Sequence, residues 1–332
     1  MRTTLLAMLI FLLSVPARAA KTLNFYFIDV EGGQSTLVVS PSGESMLIDT
    51  GWPGERDAGR ILDACHRAGV KRIDYLVVTH YHLDHVGGVP DLAARIPVGT
   101  FVDHGASVEK DADGEKLFTA YERARANGHR LLAKPGEKIP ISGIQVEIVS
   151  AAGQVLSKPL PGAGTPNPAC STSPPQQADP SENAQSVGLV ISYGKFRLVD
   201  LGDLTWNKEL DLMCPNNKLG MTDVYLTSHH GLKISGSPAL VAALHPRAAI
   251  MNNGARKGGD PEAWQTVHNS LGLEDLWQLH YAEASSPQNN APDELIANTG
   301  KDEGHFIELL AQSSGEFTIT NSRNGKTKTY KP

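Results

Sequence analysis

Three histidines and one aspartate fall within six consecutive positions of this chain, directly after a segment predicted to be a buried strand. The four residues are His80, His82, Asp84 and His85. The segment before them, residues 74–79, is typical of a strand that is covered on both faces of a sheet. Imidazoles and carboxylates are ligands that suit Zn²⁺ and similar divalent ions. The pattern therefore predicts a metal site, with a functionless surface cluster as the alternative.

The spacing of these four residues indicates how they could share two metal ions. Side chains alternate in direction at the end of a strand. His80 and His82 can therefore face a first metal, while Asp84 and His85 can turn toward a second. Two neighbouring ions can share an activated water and stabilise both the attacking and the leaving oxygen of a hydrolysis.

The order of predicted elements favours two mixed β-sheets packed together, with helices on the outer faces. Strands come first, then strands and helices alternate, and the same theme returns in the second half. The predicted strands and hairpins lie at 23–28, 35–40, 45–49, 74–79, 98–103, 139–150, 186–192, 196–201, 222–227, 247–251, 275–280, 305–310 and 316–321. The predicted helices lie at 56–68, 88–95, 115–127, 237–244 and 261–271. A single doubly wound sheet is the alternative, but hairpin-length turns join the first three strands.

Residues 1–19 have the pattern of a signal peptide. Arg2 gives a positive start, Leu5 to Val15 form a short apolar core, and 17–19 (Ala-Arg-Ala) resemble a cleavage site. We expect cleavage after Ala19, with Ala20 as the other candidate position, and export to the periplasm or the medium. A permanent membrane anchor is the alternative. No later segment has an apolar run long enough for stable membrane insertion.

Charge and cysteine content restrict the partners and the compartment. The formal net charge is −6, and removal of Arg2 and Arg18 would bring it to −6 − 2 = −8. This balance argues against a broad nucleic-acid-binding face, although a local basic groove would not show in the sum.

Cys170 and Cys214 could pair in an oxidising compartment, whereas Cys65 is predicted to pack on a helix. The segment 152–184 is predicted to be a long surface loop.

The motif at 80–85, together with 47–51 (Leu-Ile-Asp-Thr-Gly), resembles the metallo-β-lactamase superfamily, whose fold is an αββα sandwich. Within that superfamily the chain is similar to the soluble hydrolase domain of ComEC-type competence proteins. The matching segments are 27–30 (Phe-Ile-Asp-Val), 181–186, 202–203 (Gly-Asp) and 228–231 (Ser-His-His-Gly). The resemblance implies one hydrolase domain over residues 20–332.

The resemblance also implies a role for each ligand. His80 and His82 would hold the first metal, and Asp84 and His85 the second. Asp203 would bridge both ions, and Asp84 or Asp203 would orient the water or accept its proton. A histidine from the late pair would complete the second site, with His229 as our first choice and His230 as the alternate.

One position departs from the superfamily pattern. A third histidine for the first metal is usual about twenty residues before the bridging aspartate, where this chain has Asn183. Since oxygen-rich sites suit Mn²⁺ better than zinc, this predicts weaker zinc retention, a preference for Mn²⁺ or a single metal. We expect two divalent ions, with zinc first and manganese second.

Three further residues are candidates for supporting roles. Asp49 follows a buried strand, so it is predicted to orient a metal ligand by a hydrogen bond rather than to bind the metal. His104 and His280 are candidates for a further ligand or a substrate contact. Asp29 and Gln34 either line the pocket or serve the turn between them.

These observations predict an exported metal-dependent hydrolase that uses a metal-activated water. By the resemblance, a phosphodiester is the favoured substrate, and nucleic acid is not supported by the charge. Hydrolysis of a lactone or β-lactam is the alternative chemistry. A metal-containing protein that binds a ligand or partner without hydrolysing anything is the alternative class, motivated by Asn183. The oligomeric state stays open.

Overall fold

The computed structural model of the protein describes residues 21–332. The predicted signal peptide, residues 1–19, and its cleavage site lie outside this range. Within residues 21–332, none of the helices combines the length and the apolar character that crossing a membrane requires.

The first sheet has nine strands, in the order β18-β17-β16-β1-β2-β3-β4-β5-β6. They are β1 (Leu23–Phe27), β2 (Thr36–Val39), β3 (Ser45–Ile48), β4 (Ile73–Val77), β5 (Val98–Asp103), β6 (His129–Leu132), β16 (Ile307–Ala311), β17 (Phe317–Asn321) and β18 (Thr327–Tyr330). Strands β3 to β6 are parallel, and the other pairs are antiparallel. The first strand is therefore central, between β2 and the C-terminal β16.

The second sheet runs in the order β15-β14-β13-β12-β11-β10-β8-β7, with β9 paired to β8. Its strands are β7 (Lys138–Ile139), β8 (Gln145–Ala151), β9 (Gln154–Val155), β10 (Gly188–Tyr193), β11 (Phe196–Asp200), β12 (Val224–Leu226), β13 (Ala248–Met251), β14 (Asp275–His280) and β15 (Ile296–Asn298). Strands β11 to β15 are parallel. Both sheets are thus mixed, as predicted.

Three apolar clusters hold these layers together. The central one joins inward-facing residues of both sheets, such as Phe25 and Ile48 with Leu198 and Trp277. The outer two pack helices against each sheet. The helices are α1 (Glu55–Arg67), α2 (Leu83–Val86), α3 (Val89–Ala93), α4 (Ala112–Arg125), α5 (Trp206–Met213), α6 (Pro238–Leu244) and α7 (Pro261–His268). The αββα sandwich is confirmed.

Helix α1 illustrates why the periodicity was informative. Its buried positions include Ala58, Ile61 and Cys65, which recur at the spacing of one helical face. Gly69 follows the helix at φ +72°, a conformation that glycine adopts without strain. Elements without such a pattern escaped prediction, namely β6, α5, β15 and β18. In β6, three of the four residues are exposed and do not alternate with buried ones.

The long segment 152–184 is only partly irregular. It contains β9 and two 3₁₀ helices, Pro168–Thr172 and Glu182–Gln185. A disulfide joins Cys170 to Cys214, with 5.8 Å between their Cα atoms, which confirms that these two cysteines can pair. Cys65 is free and buried on α1, also as predicted.

The predicted functional residues lie on loops that leave the carboxyl ends of parallel strands. The histidine-rich loop follows β4, Asp203 follows β11, and the late histidine pair follows β12, within the 3₁₀ helix Ser228–Gly231. Carboxyl ends of parallel strands meet at one edge of a sheet, where ligands of α/β proteins commonly bind. The sandwich therefore presents these loops together.

Candidate metal centre

Four buried donor groups meet at this edge. They are Asp84, His85, Asp203 and His230. Each offers one ligand atom, and these atoms all lie within 4.8 Å of one another. Two imidazoles and two carboxylates form a donor set that suits zinc and other divalent ions. The residues therefore fit a metal, and the fold has a candidate dimetal site here.

Asp49 fixes the orientation of His85. Its Oδ2 lies 2.7 Å from His85 Nδ1, and the same carboxylate accepts hydrogen bonds from the Thr79 backbone N–H at 2.8 Å and the Thr79 hydroxyl at 2.6 Å. Burial alone would lower the pKa of His85, but the carboxylates of Asp203, Asp84 and Asp49 raise it well above its usual value. Because Nδ1 donates to Asp49, Nε2 is the nitrogen that would give up its proton to bind a metal. His85 Nε2 is the atom that faces the donor group, 3.2 Å from His230 Nε2. Asp49 is therefore placed to orient the His85 ring toward the donor group.

The two carboxylates of the group stay ionised. Asp203 Oδ2 lies 3.2 Å from His85 Nε2 and 3.4 Å from His230 Nε2. Asp84 Oδ2 lies 3.4 and 3.3 Å from the same two atoms. Burial alone would raise the pKa of each carboxyl, but the surrounding imidazoles hold both pKa values well below the usual range. Ionised carboxylates are the form that binds metal.

His80 and His82 form a second pair beside this group. His80 Nε2 lies 3.1 Å from His82 Nδ1 and 3.8 Å from Asp203 Oδ2. Burial, aided by the charge of His85, holds the pKa of His80 well below its usual value, so its ring is neutral and can bind metal. Because Asp203 Oδ2 faces both histidine groups, its placement is compatible with a bridging ligand.

Asn183 lies on the 3₁₀ helix Glu182–Gln185, which runs along the histidine-rich loop. On one side of it, Glu182 Oε2 accepts the Tyr81 backbone N–H at 3.1 Å. On the other, the Val187 N–H donates to the Thr79 carbonyl at 2.8 Å. The Asn183 Oδ1 is buried and has no hydrogen-bond partner within residues 21–332. An unpartnered buried carbonyl oxygen is costly unless something binds it, and a divalent ion is a fitting partner.

Of the two late histidines, the four-donor group contains His230, the alternate, and not His229, the first choice. His230 is a member of the four-donor group, whereas His229 Nδ1 lies 3.2 Å from Ser235 Oγ and its Nε2 lies 3.3 Å from Asp203 Oδ2. Both residues have left-handed backbone, with φ 53° and 56°. Two successive residues of this kind are rare outside glycine, and the sequence gives no sign of them. Burial lowers the pKa of His229 to about 4, so its ring is neutral.

The two remaining candidate histidines have carboxylate partners away from the donor group. His104 Nε2 lies 2.9 Å from Glu182 Oε2, and the centre of the His104 ring lies 4.5 Å from that of the Tyr81 ring, with the two planes tilted. His280 Nε2 lies 2.6 Å from Asp29 Oδ1. Both rings therefore brace the loops around the centre, and the structure does not bring either one into the four-donor group.

Three residues beside the centre were not singled out from the sequence. Glu109 Oε1 lies 3.7 Å from His82 Nε2. Lys257 Nζ contacts Asp84 Oδ2 and lies 5.5 Å from the centre of the Trp52 ring. The sequence did contain one sign of Lys257. Residues 252–259 follow a strand and contain three glycines, and glycines in such a loop often mark a close approach of two backbone segments.

A polar chain lies beneath the donor group. Gln34 Nε2 donates to Asp200 Oδ2 at 3.1 Å, and Asn252 Nδ2 donates to Gln34 Oε1. Asp200 Oδ1 accepts the Gly202 N–H at 2.9 Å. Burial raises the pKa of Asp200 to about 7. Gln34 thus supports the loop that carries Asp203, which goes beyond a role in its own turn.

An open groove of about 710 Å³ runs beside His82. Its lining includes four acidic side chains and one lysine, which are Asp91, Glu109, Asp111, Asp113 and Lys116. Its negative charge opposes a long polyanion on that side.

Residues 28–172 match the family model of the metallo-beta-lactamase superfamily. The chain carries a metallo-β-lactamase superfamily domain. The matched residues contain the whole histidine-rich loop and Asp49, and the two mixed sheets with outer helices complete the superfamily's fold. Two of the four donors, Asp84 and His85, lie within the matched residues, whereas Asp203 and His230 lie beyond them.

Relatives of this metallo-β-lactamase domain include competence proteins and a hydrolase. ComE operon protein 3 of Bacillus subtilis is 26% identical over 245 residues, which cover 68% of this chain and 28% of the relative. Competence protein ComA of Neisseria gonorrhoeae is 24% identical over 225 residues, 68% of this chain and 26% of the relative. A hydroxyacylglutathione hydrolase of Stenotrophomonas maltophilia is 29% identical over 121 residues, 36% and 38% of the two chains. The chain thus spans little more than a quarter of the two competence proteins.

Among solved structures, the metallo-beta-lactamase fold protein YhfI of Bacillus subtilis aligns with a TM-score of 0.49 and 10% identity. The alignment covers 78% of this chain and 96% of YhfI.

Proposed function

We propose that the protein is an exported, metal-dependent hydrolase of a small phosphodiester. The single observation that supports this most is the meeting of four buried donor atoms within 4.8 Å, at the loop edge of a metallo-β-lactamase fold. Isolated buried charges and imidazoles are costly to desolvate, so a fold that concentrates them is suited to a cation.

In this proposal each half of the centre would hold one ion. His80 and His82 would hold the first, and Asp84, His85 and His230 would hold the second. Asp203 Oδ2 faces both groups and would be available to either ion. Ions held there would supply an activated water and would neutralise charge on the substrate's oxygens. The preference for zinc or manganese depends on whether Asn183 donates an oxygen in place of a third nitrogen.

The chain's own residues supply orientation and proton positions. Asp49 keeps Nε2 of His85 directed at the centre, and Glu182 holds the backbone of the histidine-rich loop. His229 is neutral because burial lowers its pKa to about 4. Its ring therefore keeps one donor and one acceptor nitrogen beside Asp203, where it can hydrogen-bond to a substrate oxygen.

Charge around the centre favours a small substrate over a nucleic acid strand. The groove beside His82 is lined by four carboxylates and one lysine, so a polyanion along it would be repelled. Lys257 supplies a cation near Asp84, which fits a single anionic group at the centre. The similarity to competence proteins covers only about a quarter of their length, so it supports the hydrolase chemistry rather than a role in their whole context.

Export is supported by two observations. Residues 1–19 have a signal-peptide pattern, and the Cys170–Cys214 disulfide is the kind of bond that persists in oxidising compartments. Fractionation of cells that express the full chain would test this proposal. Mature protein found only in the cytosol would contradict it.

The proposed function is tested by metal content together with turnover of the mature protein. We expect up to two metals per chain by elemental mass spectrometry and hydrolysis of bis(p-nitrophenyl) phosphate. His230→Ala should reduce turnover by more than about 100-fold, since residues that merely orient metal ligands already contribute 10- to 100-fold. His66→Ala is the matched control, because His66 is an exposed histidine on α1 and its loss should change nothing.

The same assay separates the alternatives. Turnover of a chromogenic β-lactam but not of the phosphodiester would replace our substrate with a lactone or β-lactam. Bound metal with turnover of neither substrate would favour a metal-containing binding protein. A protein that retains no zinc or manganese after reconstitution would contradict the metal centre itself.

A further inference from the structure

Lys257 lies beside the donor group, and the proposed function uses only its charge. It lies on the loop between β13 and α7. Its Nζ contacts Asp84 Oδ2 and sits 5.5 Å from the centre of the Trp52 ring, while its side chain is 31% exposed. The ammonium therefore lies at the boundary between the buried donor group and the solvent.

The backbone around Lys257 is fixed to the metal-ligand loop. The Lys257 carbonyl accepts the Gly254 N–H at 2.8 Å, and the Gly259 N–H donates to the His230 carbonyl at 3.0 Å. A side chain at Gly258 would collide with that same carbonyl, and one at Gly32 would meet Lys257 Cβ at 3.0 Å. The close packing of these glycines holds the base of the lysine in place, so only its outer methylenes and ammonium can move.

The neighbouring cations have carboxylate partners outside the centre. Arg60 pairs with Asp29 at 2.7 Å, Arg56 with Asp57 at 2.6 Å, and Arg256 with Glu283 at 3.2 Å. Lys257 differs because its partner is itself a member of the four-donor group. The lysine and a metal would therefore compete for one oxygen.

That competition has a chemical consequence. Asp84 Oδ2 is the oxygen that faces His85 Nε2 and His230 Nε2, so it is the atom that a metal would take. An ammonium and a divalent ion on one carboxylate oxygen repel each other. An anionic group on the substrate would offer the displaced ammonium a new charge-assisted hydrogen bond.

We propose that Lys257 is the anion-binding residue of the centre, which holds the negatively charged oxygen of a phosphodiester next to the metals. This inference rests on the proposed function, and it adds the residue that selects an anionic substrate over a neutral one. Trp52 borders the same position and limits where the ammonium can go.

The experiment compares Lys257→Gln, Lys257→Arg and Arg256→Gln in the manganese-loaded mature protein. Binding of dimethyl phosphate is measured by calorimetry, and the metal affinity is measured by competition with a chelator. KM and kcat are measured for bis(p-nitrophenyl) phosphate and for the neutral ester p-nitrophenyl acetate. Arg256→Gln is the matched control, because it removes a positive charge from the same loop at an exposed side chain.

We expect Lys257→Gln to weaken dimethyl phosphate binding and to raise KM for the phosphodiester by about 10-fold or more, as for loss of a charged hydrogen bond. Its kcat and its KM for the neutral ester should stay within about 3-fold. Its metal affinity should rise, because the competing cation is gone, and a merely structural role would not produce this increase. Lys257→Arg should retain phosphate binding because it keeps the positive charge. If Lys257→Gln does not fold, a loss of phosphate binding in Lys257→Arg would overturn the inference.

Each other outcome has a definite meaning. Unchanged phosphate binding in Lys257→Gln, or an equal loss in Arg256→Gln, would overturn the inference. Wild-type protein that binds dimethyl phosphate through Lys257 but hydrolyses nothing would overturn the proposed function and leave the inference intact. If the wild type hydrolyses the phosphodiester and Lys257→Gln does so with an unchanged KM, the proposed function stands and the inference about Lys257 is overturned.

Discussion

The two halves of the metal centre are built differently. The anchored half consists of Asp84, His85 and His230, with Asp49 behind them. The sparse half consists of His80 and His82, and we propose Asn183 as its third donor. In the anchored half the donors are buried and lie within 4.8 Å of one another around Asp203, and Asp49 orients His85. In the sparse half the side chain of His82 is 32% exposed, and the proposed third donor is the buried amide oxygen of Asn183, which has no hydrogen-bond partner within residues 21–332.

Because the two halves differ in burial and in support, the two ions need not bind with the same affinity. Rigid, buried ligands with fixed partners lose little freedom when a metal binds, whereas an exposed ligand with a distant partner loses more. We therefore expect the anchored half to bind its ion more tightly than the sparse half. The predictions below test that asymmetry.

The largest effect concerns the buried carboxyl group of Asp200, at the end of β11 and three residues before Asp203. Burial raises the pKa of Asp200 to about 7, above the unfolded value near 4. The folded state binds this proton more tightly, so the contribution of Asp200 is fully present below about pH 4 and is lost as the pH rises through 7. A shift of about three units is equivalent to a factor of up to about 1,000 in the folding equilibrium.

Asp200→Asn should remove that part of the pH dependence. The free energy of unfolding of the chelator-treated protein would be measured by urea denaturation between pH 4 and pH 7.5. We expect the variant to lose less stability than the wild type as the pH rises. Parallel pH profiles for the two proteins would show that Asp200 is not protonated in the folded state.

Asp49→Asn should weaken the ion of the anchored half by about 10- to 100-fold, the usual effect of losing a residue that orients a ligand. The amide keeps the shape of the carboxylate, but it accepts hydrogen bonds from Thr79 and His85 less strongly because it carries no charge. Stepwise metal titration would measure this, and Asp74→Asn, at a carboxylate that bonds Ser45 away from the centre, is the control. If Asp49→Asn lowered the affinity of the weaker binding step instead, the anchored half would be the half that binds its ion less tightly.

Asn183→His should strengthen the sparse half, because it restores a nitrogen donor that zinc prefers. We expect zinc retention after dialysis to approach two ions per chain, with the weaker binding step tightened by about 10-fold. Asn183→Ala is the matched variant, which should loosen the same step. If both substitutions had the same effect, Asn183 would not face the metal.

Glu109→Gln should have the smallest effect, about 2- to 3-fold on the weaker metal, because a partly exposed pair contributes little. Its carboxylate lies 3.7 Å from His82 Nε2, and both side chains are about one-third exposed. The loss should disappear at high salt, which screens exposed charges. A loss of 100-fold would place Glu109 among the ligands themselves.

Much of this architecture was predictable because local patterns and the global fold agree. The apolar segment before His80, the helical spacing of α1 and the turn residues between the first strands each specify their own element. The histidine-rich loop identified most of the donors, since few other roles need that combination of residues. Short elements such as α5 escaped because eight residues give too little periodicity to recognise.

The missed parts of the centre depend on backbone conformation and distant contacts. The choice between His229 and His230 follows from two consecutive left-handed residues, which no composition rule forecasts for histidine. Lys257 reaches Asp84 across 173 positions of the chain, and only the pairing of both sheets brings those loops together. Such contacts belong to tertiary structure rather than to sequence spacing.

The central position of β1 has a consequence for how the protein is made. The first strand pairs on one side with β16, which lies near the C-terminus, so the first sheet cannot be completed until almost the whole chain has left the ribosome. Pairings over such long sequence separations form slowly. A nascent chain that lacks β16 to β18 would expose one edge of β1 to other strands. Synthesis therefore leaves a period in which the first sheet is unfinished and one edge of β1 has no partner strand.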